Sequence, residues 1–144
     1  MVLSFMDSFT REEPMIKVNK FIDCFFCNLP KERIVSESIR FWIIRDAYPV
    51  TEGHTLIIPK RHAETWFDLT EQEQAEVNHL LASQRKELLE LYPDISGFNI
   101  GMNCGESAGQ TIFHCHIHLI PRRDGDCENP RGGVRGVIPH KQQY

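Results

Sequence analysis

Apolar residues recur at helical spacing through Val77, Leu80, Leu81, Leu88 and Leu91, with Gln84 as the only polar break on that face. Thr70 followed by Glu73 has the form of a capping box, and Pro93 ends the run, so the pattern predicts one long helix. A shorter period governs other stretches. The segment from Arg33 to Arg45 is rich in Ile, Val, Phe and Trp, and Ile39, Phe41 and Ile43 alternate with Arg40, Trp42 and Ile44, which predicts strands. Tyr48-Pro49 and Glu52-Gly53 are turn signals. His54 to Ile58 then reads as a buried strand stopped by Pro59. Phe98 to Asn103 and Cys115 to Ile120 read as two more strands, joined by a small-residue loop from Cys104 to Gly109. Residues 1–20 carry Pro14 and weak periodicity and are expected to be an N-terminal extension. Residues 21–144 form one domain with an irregular C-terminal tail. Strands before and after a single helix indicate an α+β domain with an antiparallel sheet.

Composition adds boundaries. A chain of 144 residues, 41% hydrophobic and 25% charged, suits one ordinary globular domain. Its formal charge of −4 argues against a nucleic-acid groove. No apolar run reaches the roughly 18 residues of a membrane span. The first residues lack the basic start of a secretory signal, so the expectation is a cytoplasmic protein with no membrane partner. Five cysteines, two of them spaced as Cys24-Phe25-Phe26-Cys27, then read as reduced thiols or a metal pair.

The chemistry concentrates in His114-Cys115-His116-Ile117-His118-Leu119-Ile120. On a strand, alternate side chains share a face, so His114, His116 and His118 stand together while Cys115, Ile117 and Leu119 form an apolar face for the helix. Same-face neighbours lie about 7 Å apart, close enough for imidazoles to converge on one phosphate or one metal. Unpaired imidazole is a poor core group. The preceding loop strengthens the pattern: Gly105, Ala108 and Gly109 allow backbone N–H groups to approach an anion, with Asn103, Gln110 and Thr111 adding polar side chains. Neutral histidine is a nucleophile near pH 7, and a second histidine moves protons there. Attack on a phosphoanhydride or phosphoramidate would give a nucleotidyl-histidine that water then displaces.

This stretch, with Gly109-Gln110-Thr111 before it and His54-Thr55-Leu56-Ile57-Ile58-Pro59-Lys60 upstream, resembles the histidine triad (HIT) superfamily, over roughly residues 22–124. The resemblance implies a HIT-like α+β fold: an antiparallel sheet of about five strands, one long helix and a short N-terminal helix. It implies a nucleotidyl hydrolase or transferase acting on the α-phosphate of dinucleoside polyphosphates or nucleoside phosphoramidates. The middle histidine, His116, would be the nucleophile; His118 would bind phosphate oxygens and assist the leaving group; His54 would stand beside them. Asn103, Gln110 and Thr111 would contact phosphate. Asp46 would hold ribose hydroxyls, and Phe25, Phe26, Leu29 and Ile44 would sandwich the base, by family habit a purine. Family members pair across a two-fold axis, which implies a homodimer. The exposed edges of a small sheet give that expectation a physical reason.

Cys24 and Cys27 need two further ligands for a tetrahedral site, and His62 and His114 are the best candidates. The resemblance maps the same four residues onto a structural zinc site in a zinc-containing branch related to Hint- and Fhit-type nucleotide hydrolases. Cys115 reads as core, and His79 and His140 as solvated. Two rival readings are a metalloenzyme with catalytic zinc on the three strand histidines, and a nucleotide-binding regulatory protein with vestigial catalysis. Arg122, Arg123, Arg131 and Arg135 follow the triad, and their guanidinium forks suit additional substrate phosphates.

Overall fold

The computed structural model describes residues 23–144; the N-terminal extension, 1–20, lies outside the described residues. Five strands form one antiparallel sheet: β1 (Ile34–Glu37), β2 (Phe41–Arg45), β3 (Thr55–Pro59), β4 (Gly97–Gly101) and β5 (Ile117–Arg122). Their order across the sheet is β1-β2-β3-β5-β4. A short 3-10 turn, Phe25–Cys27, precedes them, and one long helix, α1 (Glu71–Leu91), links β3 to β4. This is the α+β, HIT-like architecture expected from the sequence.

The helix begins where its chemistry dictates. The Thr70 hydroxyl accepts from the Glu73 amide at 3.1 Å and the Glu73 carboxylate accepts from the Thr70 amide at 2.9 Å. Two of the orphan donors of the first turn are thereby satisfied. Glu73 is buried but paired, because Arg61 reaches it at 2.7 Å. Val77 and Leu88 are 1% and 0% exposed, and each contributes about 1.5–3 kcal/mol by leaving water. Gln84, the polar break, is also buried: its carbonyl accepts from Arg45 at 2.7 Å and its amide donates to Glu87 at 2.9 Å.

The sheet carries cores on both faces. Phe41, Ile43, Ile57, Cys115 and Ile117 pack with Val77 on the helix side, and Leu119 packs with Leu88. Phe26, Ile44, Leu56 and Ile58 pack on the other. β3 is buried on both faces along its whole length, which accounts for its unbroken apolar run.

The strand expected from Cys115 starts two residues later. The Cys115 amide donates to the Ala63 carbonyl at 2.6 Å, and the β3 ladder is first met at Ile117, opposite Ile57. His114 and His116 therefore lie before β5, while Ile117 and Leu119 still face the helix as expected. Gly53 permits the tight turn into β3 at φ +92°, against Leu88, Tyr92 and Pro121.

Candidate active site

His54 stands just before β3 and His118 near the start of β5, so two adjacent strands bring their rings together. His54 Nε2 lies 2.9 Å from His118 Nδ1, and the His116 and His118 ring centres are 5.2 Å apart. His116 also meets the Phe26 ring edge-on, centre to centre 5.0 Å. Asp46 joins from the end of β2, with a carboxylate oxygen 3.5 Å from His54 Nε2. Its other oxygen accepts from the Tyr48 amide at 2.9 Å, and its own amide donates to the His54 carbonyl at 2.8 Å.

The backbone assigns the ring hydrogens. A carbonyl can only accept, so the contact of His116 Nδ1 with the His114 carbonyl at 2.8 Å puts the hydrogen on Nδ1. The lone pair of neutral His116 is then on Nε2. An amide can only donate, so the Val50 N–H at 3.0 Å makes His54 Nδ1 the acceptor. His54 Nε2–H then donates to His118 Nδ1, leaving the His118 hydrogen on Nε2. Burial lowers the pKa of His54, against the pull of Asp46, and lowers that of His116. His118 is taken down to about 4 by burial and by His116 and His54. The cluster is thus neutral near pH 7, the state a histidine nucleophile requires.

His114 turns away from this group. Its Nε2–H donates to the Pro59 carbonyl at 2.7 Å, so the lone pair on Nδ1 faces the Cys24 and Cys27 sulfurs, each at 3.4 Å. His62 Nδ1 is 3.1 Å from Cys27 Sγ. These four side chains, each offering one ligand atom within 4.8 Å of the others, form a candidate metal-binding cluster. Burial and the neighbouring Cys24 push the Cys27 thiol up to about 11, while burial takes His114 down to about 4. Two sulfurs and two imidazoles form a donor set that favours a divalent cation.

A cavity of about 260 Å³ is walled by Phe25, Phe26, Arg33, Ile44, Asp46, Tyr48 and Leu56, and its Phe26 ring is the one that meets His116. Leu29 packs behind it, in the cluster of Phe26 and Ile44, and is not part of its wall. Asn103 lines a second cavity with His54 and His118, which shares no lining residue with the first. Gln110 is buried as a staple of its loop: its carbonyl accepts from the Gly105 amide at 2.8 Å, and its amide donates to the Glu64 and Ile112 carbonyls at 2.6 and 3.2 Å. Thr111 is exposed and lies near Cys24 and His62. The sequence pattern carries no signal for the Val50 amide or the His114 carbonyl, because main-chain groups leave no trace in residue identity.

Arg122 is held by Asp126 through two 2.8 Å contacts, and Arg123 by Asp94 at 2.9 Å. Arg131 and Arg135 lie over the Tyr144 ring at 4.8 and 5.0 Å. Among the described residues no helix is long and apolar enough to cross a membrane.

A family model described as the HIT domain matches residues 30–125. An uncharacterised HIT-like protein of Mycoplasma genitalium is 38% identical over 108 residues, which is 72% of this chain and 76% of that protein. The Arabidopsis thaliana protein named adenylylsulfatase is 34% identical over 113 residues, 73% of this chain and 55% of the plant protein. Among solved structures, a Zn-bound histidine triad family protein of Mycobacterium smegmatis superposes with a TM-score of 0.65 at 37% identity, covering 73% of this chain and 78% of that one.

Proposed function

From the premise that the chain belongs to the HIT domain family, we propose that it is a hydrolase or transferase that moves a nucleotidyl group through a covalent intermediate on His116. One observation carries the reading: the His114 carbonyl fixes the Nδ1 hydrogen of His116 and leaves a neutral lone pair on Nε2, in a ring that meets Phe26, itself a wall of a cavity of about 260 Å³. In the first step Nε2 attacks the α-phosphorus, a P–N or P–O bond breaks, and the leaving group departs with the bonding pair and takes up a proton. His116 then carries both the phosphorus and the Nδ1 hydrogen, and its positive charge is met by the His114 carbonyl. His118 binds a phosphate oxygen through Nε2–H, and the leaving group takes its proton from solvent. Water then displaces His116 from phosphorus, loses a proton, and releases a nucleoside monophosphate. Two easier steps replace one difficult step.

Phe25, Phe26 and Ile44 hold the base, a purine by family habit, and Asp46 meets the ribose. Asn103 serves the phosphate. Gln110 acts by holding the phosphate loop, since its carbonyl accepts from Gly105 while its amide is committed to the Glu64 and Ile112 carbonyls. Thr111 contributes at the loop's outer side. The Arabidopsis relative named adenylylsulfatase supports attack at an adenylyl phosphorus.

The Cys24, Cys27, His62 and His114 cluster fits structural zinc. Tetrahedral bonds of about 2.0–2.3 Å put ligand atoms about 3.3–3.8 Å apart. The ligand atoms here stand 3.1–3.4 Å apart across their closest pairs. All four positions are protein ligands, so the ion would cross-link the N-terminal turn to the catalytic segment. The Zn-bound Mycobacterium smegmatis relative supports this. The domain is taken as 21–144, in the cytoplasm, paired as a homodimer.

The test is His116→Ala in the full chain. Turnover of an adenosine phosphoramidate should fall by at least about 10³-fold while adenosine monophosphate still binds. Turnover near that of the unaltered protein would refute the nucleophile. Normal binding with no turnover by the unaltered protein would favour the regulatory reading.

A further inference from the structure

Arg33 ends the short 3-10 turn ahead of β1 and lines the cavity of about 260 Å³ together with Phe25, Phe26, Ile44 and Leu56. Its Nη2 donates to the Arg45 carbonyl at 3.1 Å, which pins the guanidinium at this wall. Asp46, the carboxylate of the same wall, is turned to His54 at 3.5 Å and makes no ion pair with it. A guanidinium carries five N–H donors and no acceptor. Among the described residues, the Arg45 carbonyl is the one acceptor that Arg33 meets. When a ligand fills the cavity and water leaves, the remaining donors of the fork need acceptors from the ligand.

The register of the sheet shows which part of a nucleotide arrives there. Ile34, Ile44, Leu56 and His118 pair in one row across β1, β2, β3 and β5. Three strand spacings put about 14 Å between the backbones at the two ends of that row. His118 and His116 stand at one end, and Arg33, next to Ile34, stands at the other. Asp46 comes between them, one residue beyond β2. A nucleotide laid along the row, with phosphorus at His116 and ribose at Asp46, carries its base to Arg33.

The bases differ in what they offer a fork of donors. Guanine presents two adjacent acceptors, O6 and N7, which a guanidinium meets with two parallel hydrogen bonds. Adenine presents N7 beside an N6 amino donor, so one arm of the fork would face another donor. Phe25 and Phe26 and the aliphatic wall accept either purine ring and do not choose between them. We infer that Arg33 reads the O6 and N7 edge of the base and makes the site selective for guanine nucleotides. The inference rests on the nucleotidyl reading in taking the occupant for a nucleotide.

The experiment has a binding arm and a turnover arm, both on the full chain. Calorimetric titration should show guanosine monophosphate binding about tenfold or more tightly than adenosine monophosphate, the scale of one good bidentate contact. The phosphoramidates of the two nucleosides should show a kcat/KM ratio of the same size. Inosine phosphoramidate, which keeps O6 and N7, should follow guanosine, and the 7-deazaguanosine compound, which lacks N7, should lose most of the advantage. Arg33→Ala should bring the guanosine-to-adenosine ratio near one, and Arg33→Lys, which keeps the charge without the fork, should retain only part of it. A ratio within one variant is independent of how much of that protein is folded. A ratio near one in the unaltered protein, an unchanged ratio in Arg33→Ala, or inosine behaving as adenosine does would overturn the assignment. Guanine-selective binding without turnover of any phosphoramidate would uphold Arg33 as the base reader while removing nucleotidyl transfer; binding of neither monophosphate would overturn both.

Discussion

Acid should destabilise this protein through His118, and the size can be worked out. Its pKa falls from the ordinary 6.5 to about 4 because burial, His116 and His54 all disfavour the charged ring, with Asp46 opposing them weakly. The unfolded chain therefore binds a proton at pH values where the folded chain does not. Stability from the neutral ring is present in full above 6.5, is lost as pH falls, and is exhausted below about 4, where both states are protonated. At about 1.4 kcal/mol per pH unit, the whole interval is worth up to about 3 kcal/mol. His54, also lowered by burial, adds in the same direction. Urea unfolding at pH 7, 6, 5 and 4.5 would measure this against His118→Gln, whose amide can still accept from His54. Between pH 6 and 5 the unaltered protein should lose about 1 kcal/mol more than the variant. Acid loss of any metal affects both proteins and cancels in the difference. Parallel stability curves would refute the reasoning.

Purified protein should carry about one zinc per chain by elemental analysis, and Cys24→Ser or Cys27→Ser should lose the metal and melt at lower temperature; protein purified without chelator yet free of transition metal would remove the zinc assignment. Light scattering at micromolar concentration should give a dimer, since β1 and β4 leave sheet edges to cover; a monomer would refute it. Gly53→Ala should cost about 1–3 kcal/mol in urea unfolding, because its φ is +92° and a Cβ would press Leu88 and Tyr92 at 3.2 Å; an unchanged midpoint would show that the turn relaxes freely.

The helix and strands were legible because their determinants are local. The spacing of Val77, Leu81 and Leu88 and the Thr70–Glu73 box define α1 whatever the rest of the chain does. The histidine alternation was equally plain, since side-chain period on an extended chain is a property of the chain alone. Sequence spacing marked Cys24 and Cys27 as a metal pair, and the family resemblance added His62 and His114 to it.

The resemblance assigned His114 to the cysteines and His116 and His118 to the reaction, but only the tertiary structure supplies the geometry that separates them. The Cys115 amide bonds to Ala63 and β5 starts only at Ile117, so His114 turns to the cysteines while His118 meets both His54 and His116. It also decided which nitrogen of each ring is free, through a carbonyl and an amide that residue identities do not encode. The arginines show the same limit. A guanidinium suits a phosphate or a carbonyl equally well on paper, and only the folding back of 131–144 onto Tyr144 and Gln142 chose the carbonyl. Periodicity fixes which side of an element a residue takes. Which distant group it meets there depends on chain closure across tens of residues, and only packing specifies that.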